Sequence, residues 1–553
     1  MSEAPGTSVA GAAEAFVAPA SYAQERVWFA DRLAGHSLVY HVFDWFPLRF
    51  DLTAEQVLAA LAEVVRRHES LRTGFRLDQG RLHQVVHPSV ELPVTHADVS
   101  ALAPAEREDE LRRLYHAQAD RRIDPDAAPL WRATLVRGGP AEWHLMFVAH
   151  HAVVDAASEA ILLAELTELC AAAERGRPAE LPELPVQCAD HAVWQRDQLA
   201  GPRMAELLDF WRATLADLPV VHRLPTDRPR PAVRSFAGGD VAATLPPDVA
   251  DALPAVCAAT TSTPFMVLLS GYVALLRRLT GEDDTVVGIP VDGRDLPELR
   301  PLVGMFVNLL VLRVDAGGDP TFAELIGRVR AALLAALDHQ DLPYQRLVEE
   351  LGRHRVPPYQ LGFNDVGARA FAGSSGGGTA EDDLMLEVGS DVLRVEYDSA
   401  LFDEATAHGI AACYLDVLTT ALADPGTRLS ALPVEPLAGR VTAEVPAEDA
   451  PAPYVEPATS AELLVADVWA EVLGVERVGA RDDFFALGGH SLLALRVIAR
   501  LSAAAEVPLS IQEFFADTTV AGVAAALERA LAAEIDAMSD EDARVRLDEG
   551  RAP

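Results

Sequence analysis

The sequence has no lysine; all 46 of its basic residues are arginines. That excludes chemistry built on a lysine amine, such as a Schiff base, a P-loop lysine or a protein-kinase lysine. Positive charge is also scarce. Against 83 acidic residues the arginines leave a formal net charge of −37. This argues against a nucleic-acid backbone or an anionic membrane as main partner, since both need basic patches. Cysteine is rare too: Cys170, Cys188, Cys257 and Cys413 stand at no metal or redox spacing. A structural zinc site and a thioredoxin-like motif are therefore not expected, and a reducing compartment is. No apolar run reaches the roughly 18 residues of a membrane span. Met1–Pro19 lacks the basic start and apolar stretch of a secretory signal. The expectation is a soluble, acidic, cytoplasmic protein.

What is present suits several domains. The chain has 553 residues, 50% of them apolar, enough for a sizeable core. Residues 1–18 are rich in Ala, Gly and Ser and are expected to be disordered. Val57, Leu58, Leu61, Val64 and Val65 recur at helical spacing. Trp143–Val148 reads as a strand, and Ile161, Leu162, Leu163, Leu166 and Leu169 then form a helical stripe. Strand-then-helix alternation predicts an α/β fold. Gly373–Gly378 reads as a flexible loop. Pro433, Pro436, Pro446, Pro451, Pro453 and Pro457 mark an extended linker. Beyond it, Thr459 and Glu462 form a capping-box pattern. Leu464, Val465, Val468, Trp469, Val472 and Leu473 follow on one helical face, ended by Gly474. Further helices are expected from about Ser491 to Leu501 and from Val520 to about Leu531. From Glu534 onward the sequence is acidic and polar, either a frayed helix or a docking tail.

Three constellations could carry chemistry. The first is His150-His151-Ala152-Val153-Val154-Asp155. Neighbouring side chains on a strand point to opposite faces, so one histidine can act while the other packs. Imidazole titrates near neutrality and suits a general base, and an aspartate close by can orient the site. The plainer reading is packing at a strand end. A metal site fits less well, because the strand separates the two rings. The second is Leu487-Gly488-Gly489-His490-Ser491-Leu492, where two glycines turn the chain into a helix beginning at the serine. A helix N-terminus accommodates phosphate; the plainer reading is an N-cap serine. Leu493 stands where a hydrolase elbow needs glycine. The third is Val291-Asp292-Gly293-Arg294-Asp295 with Val303-Gly304-Met305-Phe306-Val307-Asn308. Arg294 is a candidate partner for Asp155; the plainer and favoured reading of that stretch by itself is an ordinary surface turn.

In this order the motifs resemble those of a non-ribosomal peptide synthetase condensation domain followed by a peptidyl carrier domain. The resemblance rests on Ser21–Phe29, Arg67–Thr73, the His150–Asp155 core, Gly293-Arg294, Phe306–Asn308, His339–Tyr344 and the Leu487–Leu492 stretch. One departure is Ala156, where the family's core motif ends in glycine. Another is architectural: only a short linker stands where an adenylation domain usually separates condensation and carrier domains.

The resemblance implies two chloramphenicol-acetyltransferase-like lobes forming a V, at about 19–190 and 191–440, with a linker at 441–458. A small all-α carrier of four-helix type at 459–532 and an acidic tail at 533–553 complete it. It implies amide formation between a donor acyl or peptidyl thioester and an acceptor aminoacyl group on a carrier. His151 either takes the amine proton or positions the amine, His150 orients, and Asp155 and Arg294 form a structural salt bridge. Phosphopantetheine is attached at Ser491, and no metal is expected. The implied partners are an upstream carrier protein as donor, a phosphopantetheinyl transferase, and a separate adenylation enzyme or acyl donor that loads Ser491. Two alternatives are an acyltransferase acting on a soluble amine or alcohol, and a non-catalytic platform that recruits other enzymes.

Overall fold

The computed structural model describes residues 15–35, 37–78, 80–119, 121–219, 221–231, 234–351, 357–367, 378–434, 454–489 and 491–537. The chain divides into two compact units.

The first unit comprises residues 1–27, 40–199 and 294–306. It starts with β1 (Phe16–Pro19) and α1 (Tyr22–Ala34), whose last turns belong to the second unit. Then come β2 (His41–Leu48), α2 (Ala54–Arg67), β3 (Thr73–Asp78), β4 (Arg81–Val86), β5 (Val94–Asp98) and α3 (Pro104–Ala119). β6 (Trp131–Gly139), β7 (Glu142–His150), α4 (Ala156–Arg175) and α5 (Cys188–Leu199) complete it. One sheet has the order β2-β7-β6-β5 and the other β1-β4-β3. β7 is buried at every position after Glu142, as a strand with both faces covered must be. On one face Met146 and Val136 pack against Leu111 and Tyr115 of α3.

The short β1 corrects one expectation. Residues 1–14 lie outside the described residues, but Phe16–Pro19 is a strand rather than disordered chain. Its backbone ladder to β4 runs from Phe16↔Val86 to Pro19↔His83. The strand forms although Phe16 and Val17 stay exposed, so composition alone could not reveal it.

The second unit comprises residues 28–39, 200–293 and 307–553. It contains α6 (Pro202–Thr214), β8 (Gly238–Thr244), α7 (Pro247–Thr260), α8 (Pro264–Thr280), β9 (Asp284–Val291), β10 (Asn308–Asp315) and α9 (Phe322–Leu337). α10 (Tyr344–Leu351), β11 (Leu361–Gly367), β12 (Leu384–Gly389), β13 (Val392–Asp398) and α11 (Glu404–Ala423) follow. Its six-stranded sheet has the order β10-β9-β11-β12-β13-β8; β11 runs parallel to both neighbours. α8 is buried continuously from Met266 to Leu276, the pattern of a helix apolar all round and packed on every side.

The C-terminal part is helical: α12 (Ser460–Leu473), α13 (Ser491–Ala505), α14 (Ile511–Ala516) and α15 (Val520–Ala537). Thr459 and Glu462 form the expected capping box, and Gly474 ends α12 at φ 70°. Trp469, Phe484 and Phe514 centre its core. α13 and α15 run further than sequence periodicity indicates, and α15 takes the chain past Glu534. Of the expected linker, residues 441–453 lie outside the described residues, as do 373–377 of the glycine-rich loop and 538–553 of the tail. The linker's end is not free-running: Ala480 N–H donates to Val455 O (2.7 Å), and the Arg477 guanidinium lies 3.3 Å from the Tyr454 ring centroid. No single helix among the described residues is long and apolar enough to cross a membrane.

Candidate active site

β7 delivers the histidine pair. His150 is its last residue and is fully buried. Its Nδ1 accepts the Ala152 N–H (3.1 Å), and its ring stands edge-on to His41 at 5.7 Å. His151 leaves the strand and is only half-buried. Its backbone N–H donates to Tyr40 O (2.8 Å), and its Nδ1 lies 2.8 Å from Val154 O. A carbonyl only accepts, so Nδ1 carries the proton and Nε2 is the basic nitrogen.

Asp155 closes this turn as the N-cap of α4, with no exposed surface. Its Oδ1 accepts from Ser158 N–H (3.0 Å) and Ser158 Oγ–H (2.8 Å). Arg294 donates to both carboxylate oxygens, Nη1 to Oδ2 at 2.7 Å and Nη2 to Oδ1 at 2.8 Å. A two-point fork of this kind fixes orientation as well as charge. Phe306 N–H adds a bond to Oδ2 (3.1 Å), and the Phe306 ring lies under the guanidinium at 4.4 Å. Arg294 is 4% exposed. The sequence stretch around it is therefore no ordinary surface turn: Gly293, at φ 63°, turns the chain so that the arginine enters the core. Ala156 is the first residue of α4 and is exposed.

Residues 302–306 are stitched to the same unit. Arg294 Nη2 donates to Leu302 O (3.2 Å), Ser70 Oγ to Val303 O (2.8 Å), and Gly304 N–H to Ser158 Oγ (2.9 Å). Gly304 has to be glycine, because a Cβ there would stand 2.1 Å from Cys188 Sγ. His191 packs on Phe306 at 5.1 Å. Burial, with Arg294 beside it, pushes His191 down to about 4, so it packs as a neutral ring near pH 7.

The other motif residues act as fasteners. Ser21 and Gln24 cap α1 reciprocally, Ser21 N–H to Gln24 Oε1 (2.8 Å) and Gln24 N–H to Ser21 Oγ (3.1 Å). Asn308 Nδ2 donates to Gln340 O (2.9 Å) and Leu342 O (2.7 Å), while its Oδ1 accepts from Tyr344 N–H (3.0 Å). His339 stacks on Phe210 with centroids 3.6 Å apart. Ser158 and Glu165 do not stand out in the sequence motifs, and Gly304 does so only as a letter of the 303–308 stretch. Glu165 does leave a signal, as a carboxylate among the apolar positions Leu162 and Leu166, and it is buried with them.

In the C-terminal helices, α13 begins at Ser491. The side chains of Ser491 and Leu492 and all of His490 lie outside the described residues. The turn before them fits an attachment point. Gly488 has φ 88°, and a Cβ at Gly489 would stand 2.4 Å from the Phe484 ring. The chain therefore approaches Phe484 closely just before a long helix, whose first N–H groups have no partner within the helix.

The condensation-domain family model matches residues 14–358, and the phosphopantetheine attachment-site model matches residues 464–527. A linear gramicidin synthase component from Brevibacillus parabrevis is 36% identical over 436 residues, covering 75% of this chain and 6% of that protein. Phosphinothricin tripeptide synthetase PhsC of Streptomyces viridochromogenes is 37% identical over 439 residues, covering 75% and 40%. The chain thus spans well under half the length of these curated relatives. Among solved structures, the X-domain in its complex with OxyB from teicoplanin biosynthesis has TM-score 0.66 and 26% identity, covering 78% of this chain and 98% of that one. SgcC5 from Streptomyces globisporus, in complex with a naphthyl ethanediol, has TM-score 0.63 and 28% identity, covering 74% and 100%. The first condensation domain of the calcium-dependent antibiotic synthetase shares the fold, at TM-score 0.65 and 22% identity over 76% of this chain and 99% of that one.

Proposed function

Because the chain belongs to the condensation-domain family and also carries a phosphopantetheine attachment domain, we propose that it forms amides between carrier-bound substrates. An acceptor amine attacks the carbonyl carbon of a donor acyl or peptidyl thioester. A C–N bond forms, the C–S bond breaks, and the sulfur leaves as a thiol carrying the proton lost by the amine. The observation that supports this best is the 2.8 Å contact between His151 Nδ1 and Val154 O. With Nδ1–H committed to Val154 O, its Nε2 is the nitrogen that receives or orients the amine proton. Asp155 and Arg294 hold the turn that presents it and take no part in the bond changes. His150 packs beneath. Holding both substrates at one point supplies much of the rate.

Ser491 is the attachment residue in this reading. Phosphopantetheine bound there supplies a thiol on a long arm, to which acyl groups attach as thioesters. Loading occurs in trans, by a separate adenylation enzyme or by acyl transfer, because the residues between the condensation and carrier matches, 359–463, are taken up by β11–β13, α11 and the linker. The donor arrives on an upstream carrier protein, and a phosphopantetheinyl transferase installs the arm.

A second reading draws on SgcC5, whose structure holds a diol: the acceptor here is a soluble amine or alcohol, giving an amide or an ester. Intact-protein mass spectrometry separates the two. The chain is treated with coenzyme A and a broad-range phosphopantetheinyl transferase, then given loaded donor and either carrier-bound or free acceptors. One arm on wild type and none on Ser491→Ala, with a carrier-bound product that vanishes in His151→Ala, is the expected result. Product with free acceptors only would favour the second reading. Tight partner binding with no His151-dependent product would favour recruitment, the use suggested by the X-domain–OxyB complex.

A further inference from the structure

Helix α4 carries two buried acids, Asp155 at its N-cap and Glu165 further along, about 15 Å apart at the rise of an α-helix. Asp155 holds one end of the 302–306 segment through Phe306 N–H. Glu165 reaches the other end through His68. The His68 ring is fully buried, with Nδ1 3.3 Å from Val303 N and Nε2 3.1 Å from Glu165 Oε2. A backbone N–H can only donate, so Nδ1 is the acceptor and the ring proton sits on Nε2, facing the carboxylate. Glu165 in turn accepts from Arg67 Nε and Nη2, both at 2.9 Å. Burial raises the Glu165 carboxyl, but the adjacent His68 ring and Arg67 guanidinium outweigh it and hold the group below its usual value. A charged Glu165 3.1 Å from Nε2 therefore favours, by charge rather than by an aligned hydrogen bond, the one His68 tautomer that can receive Val303.

From Val303 a continuous chain of bonds leads to the histidine assigned to catalysis. Gly304, the next residue, donates to Ser158 Oγ (2.9 Å). Ser158 Oγ–H bonds Asp155 Oδ1 (2.8 Å). Asp155 follows Val154, whose carbonyl accepts the proton of His151 Nδ1.

We propose that His68 is a positioning residue for His151. It acts as an acceptor that sets Val303 and Gly304 and, through Ser158 and Asp155, the angle of the catalytic imidazole. The inference rests on the function proposed for His151.

Two conservative substitutions separate its two bonds. In His68→Asn the side-chain oxygen falls near the place of Nδ1 and still accepts from Val303 N–H. In His68→Gln the amide N–H₂ falls near the place of Nε2 and still meets Glu165, but the Val303 acceptor is gone. Steady-state condensation and amide hydrogen exchange at Val303 and Gly304 are measured on the full chain. His68→Asn is expected to keep kcat within about threefold of wild type and to keep Val303 protected. His68→Gln is expected to lose about tenfold in kcat at unchanged KM, with faster exchange at Val303. Equal kcat in both variants, or a loss confined to KM, would overturn the proposal. Ser70→Ala is the check should either His68 variant fold poorly. It removes only the bond to Val303 O and is expected to speed exchange and lower kcat mildly; no change in either would count against the proposal. Exchange is read without turnover. A wild-type chain that makes no product in any acceptor assay refutes the assigned function, while the exchange contrast still decides whether His68 sets Val303.

Discussion

Replacing Arg294 with methionine tests the buried fork directly. The change removes two charge-assisted bonds, at 2.7 and 2.8 Å, from a carboxylate with no exposed surface. Breaking one side of a buried ion pair typically costs about 3–5 kcal/mol, because the remaining charge cannot recruit water. Asp155 retains Ser158 N–H, Ser158 Oγ–H and Phe306 N–H, which keeps the expected cost near the lower figure, about 3 kcal/mol. Asp155→Asn is expected to cost a similar amount by stranding the guanidinium. The double variant carries no unpaired charge, so it should be more stable than the two single effects combined, with a coupling of about 2 kcal/mol. A chain of several domains does not unfold in one step. The measurement is therefore amide exchange over residues 151–158 and 302–306, together with urea unfolding followed by fluorescence. On the proposed function, kcat should fall more than KM rises, since the fork touches the His151 turn and not the substrates. Strict additivity of the two single variants would refute the reasoning, for the pair would then not be interacting.

Three further outcomes are expected. Asn308→Asp deprives Gln340 O and Leu342 O of their donor and should cost about 2–3 kcal/mol, visible as faster proteolysis around residues 340–344. Gly304→Ala drives a Cβ to 2.1 Å from Cys188 Sγ and 2.8 Å from the Phe306 ring; it should destabilise by about 1–3 kcal/mol, and Cys188→Ala added to it should recover most of that in thermal melts. Glu396 is raised to about 7, first by burial, with Glu387 and Glu381 adding and Arg394 opposing. The folded chain therefore keeps a proton that the unfolded chain releases near 4.5, so stability should fall as pH rises from about 4.5 to 7. Its side chain is 22% exposed, which limits the effect to about 1–3 kcal/mol; Glu396→Gln should flatten the slope in urea titrations at several pH values.

Features written within a few residues are legible in the sequence alone. The Thr459–Glu462 box and the Gly474 terminator hold, because caps are local chemistry at fixed spacing. The strand through Trp143 and the helix through Leu162 also follow from local periodicity. The Asp155–Arg294 fork spans 139 residues of chain, and only complementary charge and family resemblance hint at it. His68 is visible as a motif letter, but its partner Val303 lies 235 residues away. No periodicity encodes which backbone N–H a buried imidazole will receive. The sequence around Arg294 misleads for the same reason: a short Gly-Arg-Asp stretch looks alike whether it faces water or turns inward on a left-handed glycine.

The first unit is discontinuous in sequence, taking residues 294–306 from beyond the point where the second unit begins. Recombination between homologous chains feels this directly. A chimera joined near residue 200 would combine α4 and its two acids from one parent with the arginine and the 302–306 backbone from the other. Such a cut falls in an exposed helix connection and looks harmless on the chain. It nevertheless asks two independently drifted halves to agree on the fit of Gly304 against Cys188 and of Arg294 against Asp155. Exchanges that carry 294–306 along with 40–199 keep every member of that set from one parent, and the unit of inheritance is then the hydrogen-bonded set rather than the contiguous stretch.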